Sequence, residues 1–165
     1  MNSIFLDCEW YPRGRIFLIG YRVNAKTSKA LWGKQIDNFP ALLKKNKDHF
    51  LIVFGPDIAY LENHFGIAIR EKYICINILR MARDLEPDRD SWKLSAIEKD
   101  MGIKREVDKY KVNIFKIWSD WKVLDIRSQI ISYNLQDVNS LAIITEHYIK
   151  TYKLKEKDIL KYRLI

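Results

Sequence analysis

The sequence predicts an α/β domain built on a mixed, five-stranded central sheet flanked by helices. Three observations lead there. The chain opens with three short β-type runs in meander. Two later apolar runs are each separated from the preceding one by a helical stretch. Everything after about residue 94 reads mostly as helix. An antiparallel unit followed by parallel strands with helical crossovers satisfies that order.

The elements follow in turn. Residues 3–9 read as a strand, and residues 15–23 (RIFLIGYRV) form the next, with Pro12 and Gly14 marking the turn between them. Residues 29–33 (KALWG) give a third, short strand. A short helix is expected over 38–43, before the basic KKNKD stretch. HFLIVFG at 49–55 has the continuous apolar character of a buried strand. Pro56 and Asp57 start a helix that stops at Gly66, and KYICINI near 72–78 is the fifth strand. Leu94, Ile97 and Met101 then share one helical face, and Gly102 is the stop. VNIFKIW and the stretch from about Val123 to Tyr152 complete the helices.

The 165 residues make one domain spanning 1–165, with a basic helical extension at about 151–165. Apolar residues make up 48% of the chain, too many for disorder. The net charge of +8 favours polyanionic partners, nucleic acid first. No apolar run reaches the ~18–20 residues of a membrane span, and no signal-peptide pattern opens the chain. Cys8 and Cys75, both in apolar surroundings, are expected to be buried free thiols. A soluble, cytoplasmic protein is the expectation.

In such a basic chain, clustered acids need a reason. Asp7 and Glu9 in IFLDCEW are two residues apart on a strand, so they share a face, about 7 Å apart along the backbone. Leu6 and Cys8 point the other way. Like charges side by side raise each other's pKa unless something neutralises them. A divalent cation such as Mg²⁺, which prefers carboxylate oxygens, does so. Alternatively, the pair marks the solvated end of a strand. Asp57 sits at a strand-to-helix junction, where sites gather in α/β sheets; it also suits a first-turn acid that stabilises a helix dipole. Tyr133 and Asp137, four apart in YNLQDVNSL, share a face if the helix runs through both. If Asn134 is instead an N-cap, they do not. The apolar face of that helix is carried by Val138, Leu141, Ala142, Thr145 and Ile149.

Taken together, an N-terminal DxE, an Asp at a strand–helix junction and a late YxxxD resemble the DEDDy branch of the DnaQ-like, ribonuclease H-like 3′–5′ exonucleases. The resemblance covers about residues 3–150. Within it, NILRMARDL and SWKLSAIEKDMGIKRE, between 77 and 106, are similar to stretches of ribonuclease H-like domains that end in a YNxxDVxxL segment. It implies a ribonuclease H-like fold and four carboxylates, Asp7, Glu9, Asp57 and Asp137, holding two divalent cations, Mg²⁺ or Mn²⁺. Tyr133 would orient the attacking water, because a side chain with an ordinary pKa near 10 is a poor base at pH 7. The implied activity is removal of nucleotides from the 3′ end of single-stranded nucleic acid, with DNA ahead of RNA. A ribonuclease H-like endonuclease and a catalytically weak nucleic-acid-binding module are the alternatives.

Trp10 and Tyr11 stand where many relatives carry small or hydroxylated residues. Either could stack on the terminal base, and a Trp packed at a strand end is the competing reading. Trp92 and Lys93, with Lys104 and Arg105 beyond the next helix, are candidates for gripping phosphates, against a plain solvated basic surface. His49, His64 and His147 have no metal-ligand spacing and are expected to be structural or superficial. Oligomeric state has no signature in the chain.

Overall fold

The computed structural model describes residues 1–107, 109–110 and 114–165. Its five strands are β1 (Ser3–Trp10), β2 (Ile16–Val23), β3 (Lys29–Trp32), β4 (Phe50–Val53) and β5 (Cys75–Asn77). They lie side by side in the order β3-β2-β1-β4-β5. The β1–β2 and β2–β3 pairs are antiparallel; β1–β4 and β4–β5 are parallel. The expected mixed sheet is therefore present, with the N-terminal strand at its centre.

The helices are α1 (Phe39–Lys45), α2 (Asp57–Phe65), α3 (Ile69–Lys72), α4 (Ile78–Leu85), α5 (Leu94–Asp100), α6 (Ile114–Trp121), α7 (Leu124–Thr151) and α8 (Glu156–Ile159). The helix expected over 38–43 begins one residue later and is preceded by a 3-10 turn over Gly33–Asn38. The strand expected over 49–55 is shorter, because Gly55 breaks it with a φ of 147° just before α2. Val112 and Asn113 of VNIFKIW lie outside the described residues. Gly66 and Gly102 end α2 and α5 with φ of 63° and 68°, the left-handed values that favour glycine at a helix end.

Apolar residues cover both faces of the sheet. Ile4, Leu6 and Cys8 of β1, with Leu51, Val53 and Cys75, pack against α1, α2 and α3. Ile52 and Ile76 meet α4 and α7 on the other face, through Met81, Leu141, Ile144 and Tyr148. A third cluster, with Phe17, Leu18, Ile117, Trp121 and Ile130, joins β2 to α6 and the start of α7. Both thiols are buried and free, and burial pushes Cys75 up to about 12.

The basic C-terminal stretch is docked against the domain. Ile159 and Tyr162 are buried, the Leu164 N–H donates to the Cys75 carbonyl at 2.8 Å, and the Tyr162 hydroxyl donates to Asp84 at 2.6 Å. Among the described residues, no helix is long and apolar enough to cross a membrane.

Candidate active site

Three elements bring the acids together. Asp7 and Glu9 lie late in β1, on the face covered by α7, and a register shift between Glu9 and Trp10 ends the regular pairing there. Asp57 opens α2, directly beyond β4. Asp137 projects from the middle of α7, which starts at Leu124. Asn134 is therefore a mid-helix residue rather than an N-cap, and Tyr133 and Asp137 share one face of an unbroken helix.

Asp7, Glu9 and Asp137 each place a carboxylate oxygen within 4.8 Å of the other two. Two oxygens bound to one Mg²⁺ lie at most about 4.2 Å apart, twice the ~2.1 Å bond. Three such oxygens within 4.8 Å of one another are near the spacing that one ion needs. Hard oxygen donors suit Mg²⁺ or Mn²⁺, so the residues fit such a cation. Asp57 stands outside this trio. Its Oδ1 accepts the Cys8 N–H at 3.0 Å, yet its charge still raises the pKa of Asp7 and Glu9.

These acids are not a solvated strand end. Glu9, Asp57 and Asp137 are 8%, 4% and 6% exposed. Burial, then the charges of Asp137, Asp57 and Glu9, drive Asp7 well above the usual carboxylate range. Glu9 rises in the same way through burial, Asp137 and Asp57. Burial pushes Asp57 up to about 6 against the Cys8 N–H, which pulls it down. Asp137 also reaches about 6 through burial, opposed by the Arg105 guanidinium and the Tyr133 hydroxyl. Four raised carboxyls, three of them clustered and Asp57 close enough to act on two of the others, would be relieved by a bound positive charge. Tyr133, half-buried beside Asp137, is itself pushed upward by burial and by the three neighbouring acids, so it stays a protonated donor.

The other candidates fall into two groups. Lys93 is exposed and shares a cavity of about 310 Å³ with Asp7, Arg105, Tyr133 and Asp137. Trp10 stacks on Tyr60 of α2, with centroids 4.0 Å apart and rings 19° from parallel, and its carbonyl accepts the Trp118 indole N–H at 2.8 Å. Tyr11 packs on Phe17 at 4.6 Å, and the Trp92 indole donates to the Glu86 carbonyl at 3.1 Å. These three aromatics are engaged with the protein. His64 is structural, accepting the Ile16 N–H at 3.1 Å.

Several residues at the site carried weak signals in the sequence. Asn134, fully buried, donates to the Asp7 carboxylate at 2.6 Å. Gly20, opposite Asp7 in the β1–β2 ladder, makes room for it: a Cβ there would lie 2.1 Å from Asn134 Oδ1. A lone glycine inside a strand is the usual sign of such a close approach. Arg105 is no solvated base. Its side chain is 4% exposed and pairs with both Glu98 and Asp137. Glu98, four residues after Leu94 and so on the apolar side of α5, was readable as a buried acid.

Comparison with curated proteins gives no match. The family model of the RNase H superfamily matches residues 4–149, a span that takes in Asp7, Glu9, Asp57, Tyr133 and Asp137. With the sheet order and the acidic trio in place, this match over most of the chain settles its kinship: the chain belongs to the RNase H superfamily.

Proposed function

We propose that the protein is a divalent-metal-dependent 3′–5′ exonuclease that removes nucleotides from single-stranded nucleic acid, DNA ahead of RNA. The convergence of Asp7, Glu9 and Asp137, with Tyr133 one helical turn from Asp137, carries the reading. The 3′ polarity and the single-stranded substrate rest on the resemblance to DEDDy exonucleases.

Asp7, Glu9 and Asp137 would hold one Mg²⁺ or Mn²⁺, and Asp57 extends the acidic set towards a second. Bound divalent ions supply charge to the phosphate oxygens and lower the pKa of water. The protein's own groups do the rest. Asn134 fixes the Asp7 carboxylate. The Tyr133 hydroxyl is held protonated with its hydrogen on Asp137; with a cation on that carboxylate, the hydroxyl would turn to orient the attacking water. Burial of Glu9, Asp57 and Asp137 keeps the dielectric low, which strengthens every charge interaction there.

The test uses 5′-labelled single strands of DNA and RNA. Mg²⁺ or Mn²⁺ should produce a ladder shortened one nucleotide at a time from the 3′ end, and chelator should stop it. Asp7→Ala and Asp137→Asn should abolish shortening with the circular dichroism spectrum unchanged. Full activity in either variant overturns the assignment. Cutting of a circular single strand would make the protein an endonuclease.

A further inference from the structure

We propose that Arg105 is a catalytic residue whose Nη1 binds a non-bridging oxygen of the substrate's scissile phosphate. The assignment rests on reading the acidic centre as a phosphodiesterase site.

Arg105 is fixed on three sides. Its Nε donates to both carboxylate oxygens of Glu98, at 2.8 Å each. Nη2 reaches Glu98 Oε1 at 2.5 Å and also donates to Asp137 Oδ1. The guanidinium carbon lies 5.2 Å from the Tyr133 ring centroid, so the planar group is also held against an aromatic face. Nη1 alone is buried with no hydrogen-bond partner among the described residues.

Two features point past a structural brace. The first is charge. Glu98 offsets part of the Arg105 charge, although Arg105 still lowers the pKa of both Asp7 and Asp137. A residue present only to neutralise Asp137 would need no carboxylate of its own. What the pair also contributes is a positioned donor. The second is the unpaired Nη1. Buried polar groups are almost always satisfied, and a charged donor left unpaired is among the costlier exceptions. Such an exception beside candidate metal ligands marks the place of a ligand that is itself an acceptor.

The cavity identifies that ligand's class. Arg105 lines it together with Asp7, Lys93, Tyr133 and Asp137. At about 310 Å³ it lies at the lower end of the ~300–1,000 Å³ typical of small-ligand sites. One wall is acidic and would repel a phosphate by itself; Arg105 and Lys93 supply the opposite sign. A guanidinium suits a phosphate because its donors are planar and permanently charged. Arg105 forms and breaks no covalent bond. It holds a phosphate oxygen while the ester bond is hydrolysed, and it keeps its proton throughout.

The experiment uses the full chain and calorimetric titration with Mn²⁺ alone, then with thymidine 5′-monophosphate in the presence of Mn²⁺. Arg105→Lys keeps the charge and loses the fork of donors. The double variant Glu98→Gln, Arg105→Gln removes both charges together, so neither is left buried and unpaired. If the double variant does not fold, Arg105→Lys still decides. The expected result is Mn²⁺ affinity within about threefold of the parent and nucleotide affinity at least about tenfold weaker. Nucleotide binding at the parent's strength in a folded variant overturns the assignment, as does a parent chain that does not bind the nucleotide. Equal loss of Mn²⁺ and nucleotide affinity also overturns it, since Arg105 would then act only by holding Asp137. The two readings fail separately. Arg105-dependent nucleotide binding without strand shortening sinks the exonuclease and leaves this assignment standing; normal shortening with undiminished nucleotide binding in the variants sinks this one alone.

Discussion

Asn134 of α7 donates its side-chain amide to Asp7 twice, to the carboxylate at 2.6 Å and to the main-chain carbonyl at 3.2 Å. The residue after the candidate water-orienting tyrosine is thus the tie between the long helix and the central strand. Gly20 permits the tie, because a Cβ at that position would also meet Val138 Cγ2 at 2.9 Å. Gly20→Ala is expected to cost about 1–3 kcal/mol of stability, the range for overpacking a core. It should also weaken Mn²⁺ binding by loosening Asp7. Urea denaturation and calorimetry read the two effects, and a parental midpoint would mean that α7 can stand further from the sheet.

Trp10 is expected to be scaffold. Its stacking on Tyr60 and its carbonyl bond to Trp118 place it between α2 and α6. Trp10→Ala should destabilise the fold by about 2–4 kcal/mol, a half-buried version of the usual large-to-small loss. The affinity of the folded fraction for a short single strand should change less than about threefold. Fluorescence anisotropy with a labelled oligonucleotide measures it; a loss of about tenfold or more at unchanged stability would instead make Trp10 a base-stacking platform.

Tyr133→Phe should slow strand shortening without ending it. The hydroxyl is a donor that burial and nearby acids keep protonated, so its loss removes one hydrogen bond and no proton-transfer group. A decrease of about tenfold in kcat, the equivalent of about 1.4 kcal/mol, is expected. Single-turnover rates measure it. Complete loss of activity in the folded variant would assign Tyr133 a larger part than orientation.

Much of this arrangement was readable from short-range pattern. Alternation in IFLDCEW put Asp7 and Glu9 on one face, and the Gly66 and Gly102 stops bounded α2 and α5, because strand period and helix-end glycine are local properties. Asn134 was ambiguous for a local reason too. The start of α7, at Leu124, has no side-chain cap on Val123, whereas Asn134, well inside the helix, is of a residue type that favours N-caps and so could be read as a start. The pairing of Arg105 with Asp137 was out of reach, since it joins residues 32 apart in sequence that only the docking of α5 against α7 brings together. Trp10 stayed open for the same reason: its partner Tyr60 lies on another helix.

The raised carboxyls set a pH dependence with a definite sign. Asp57 and Asp137 titrate at about 6 in the folded chain, whereas an unfolded Asp titrates near ~3.9. Between roughly pH 4 and pH 6 the folded state therefore binds more protons than the unfolded state. Stability must then fall as pH rises through that window. Asp7 and Glu9 shift in the same direction and add to the loss. In chelator, the melting temperature is expected to be higher near pH 5 than near pH 7.5, once the other groups are controlled with an Asp57→Asn, Asp137→Asn chain. A divalent ion binds the deprotonated acids, so Mn²⁺ should raise the melting temperature more at about pH 7.5 than at about pH 5. Scanning calorimetry at both pH values, with and without Mn²⁺, measures both slopes. A chelated chain that grows more stable than the double variant as pH rises would show that these carboxyls are compensated within the fold, and that the centre is not built to receive a cation.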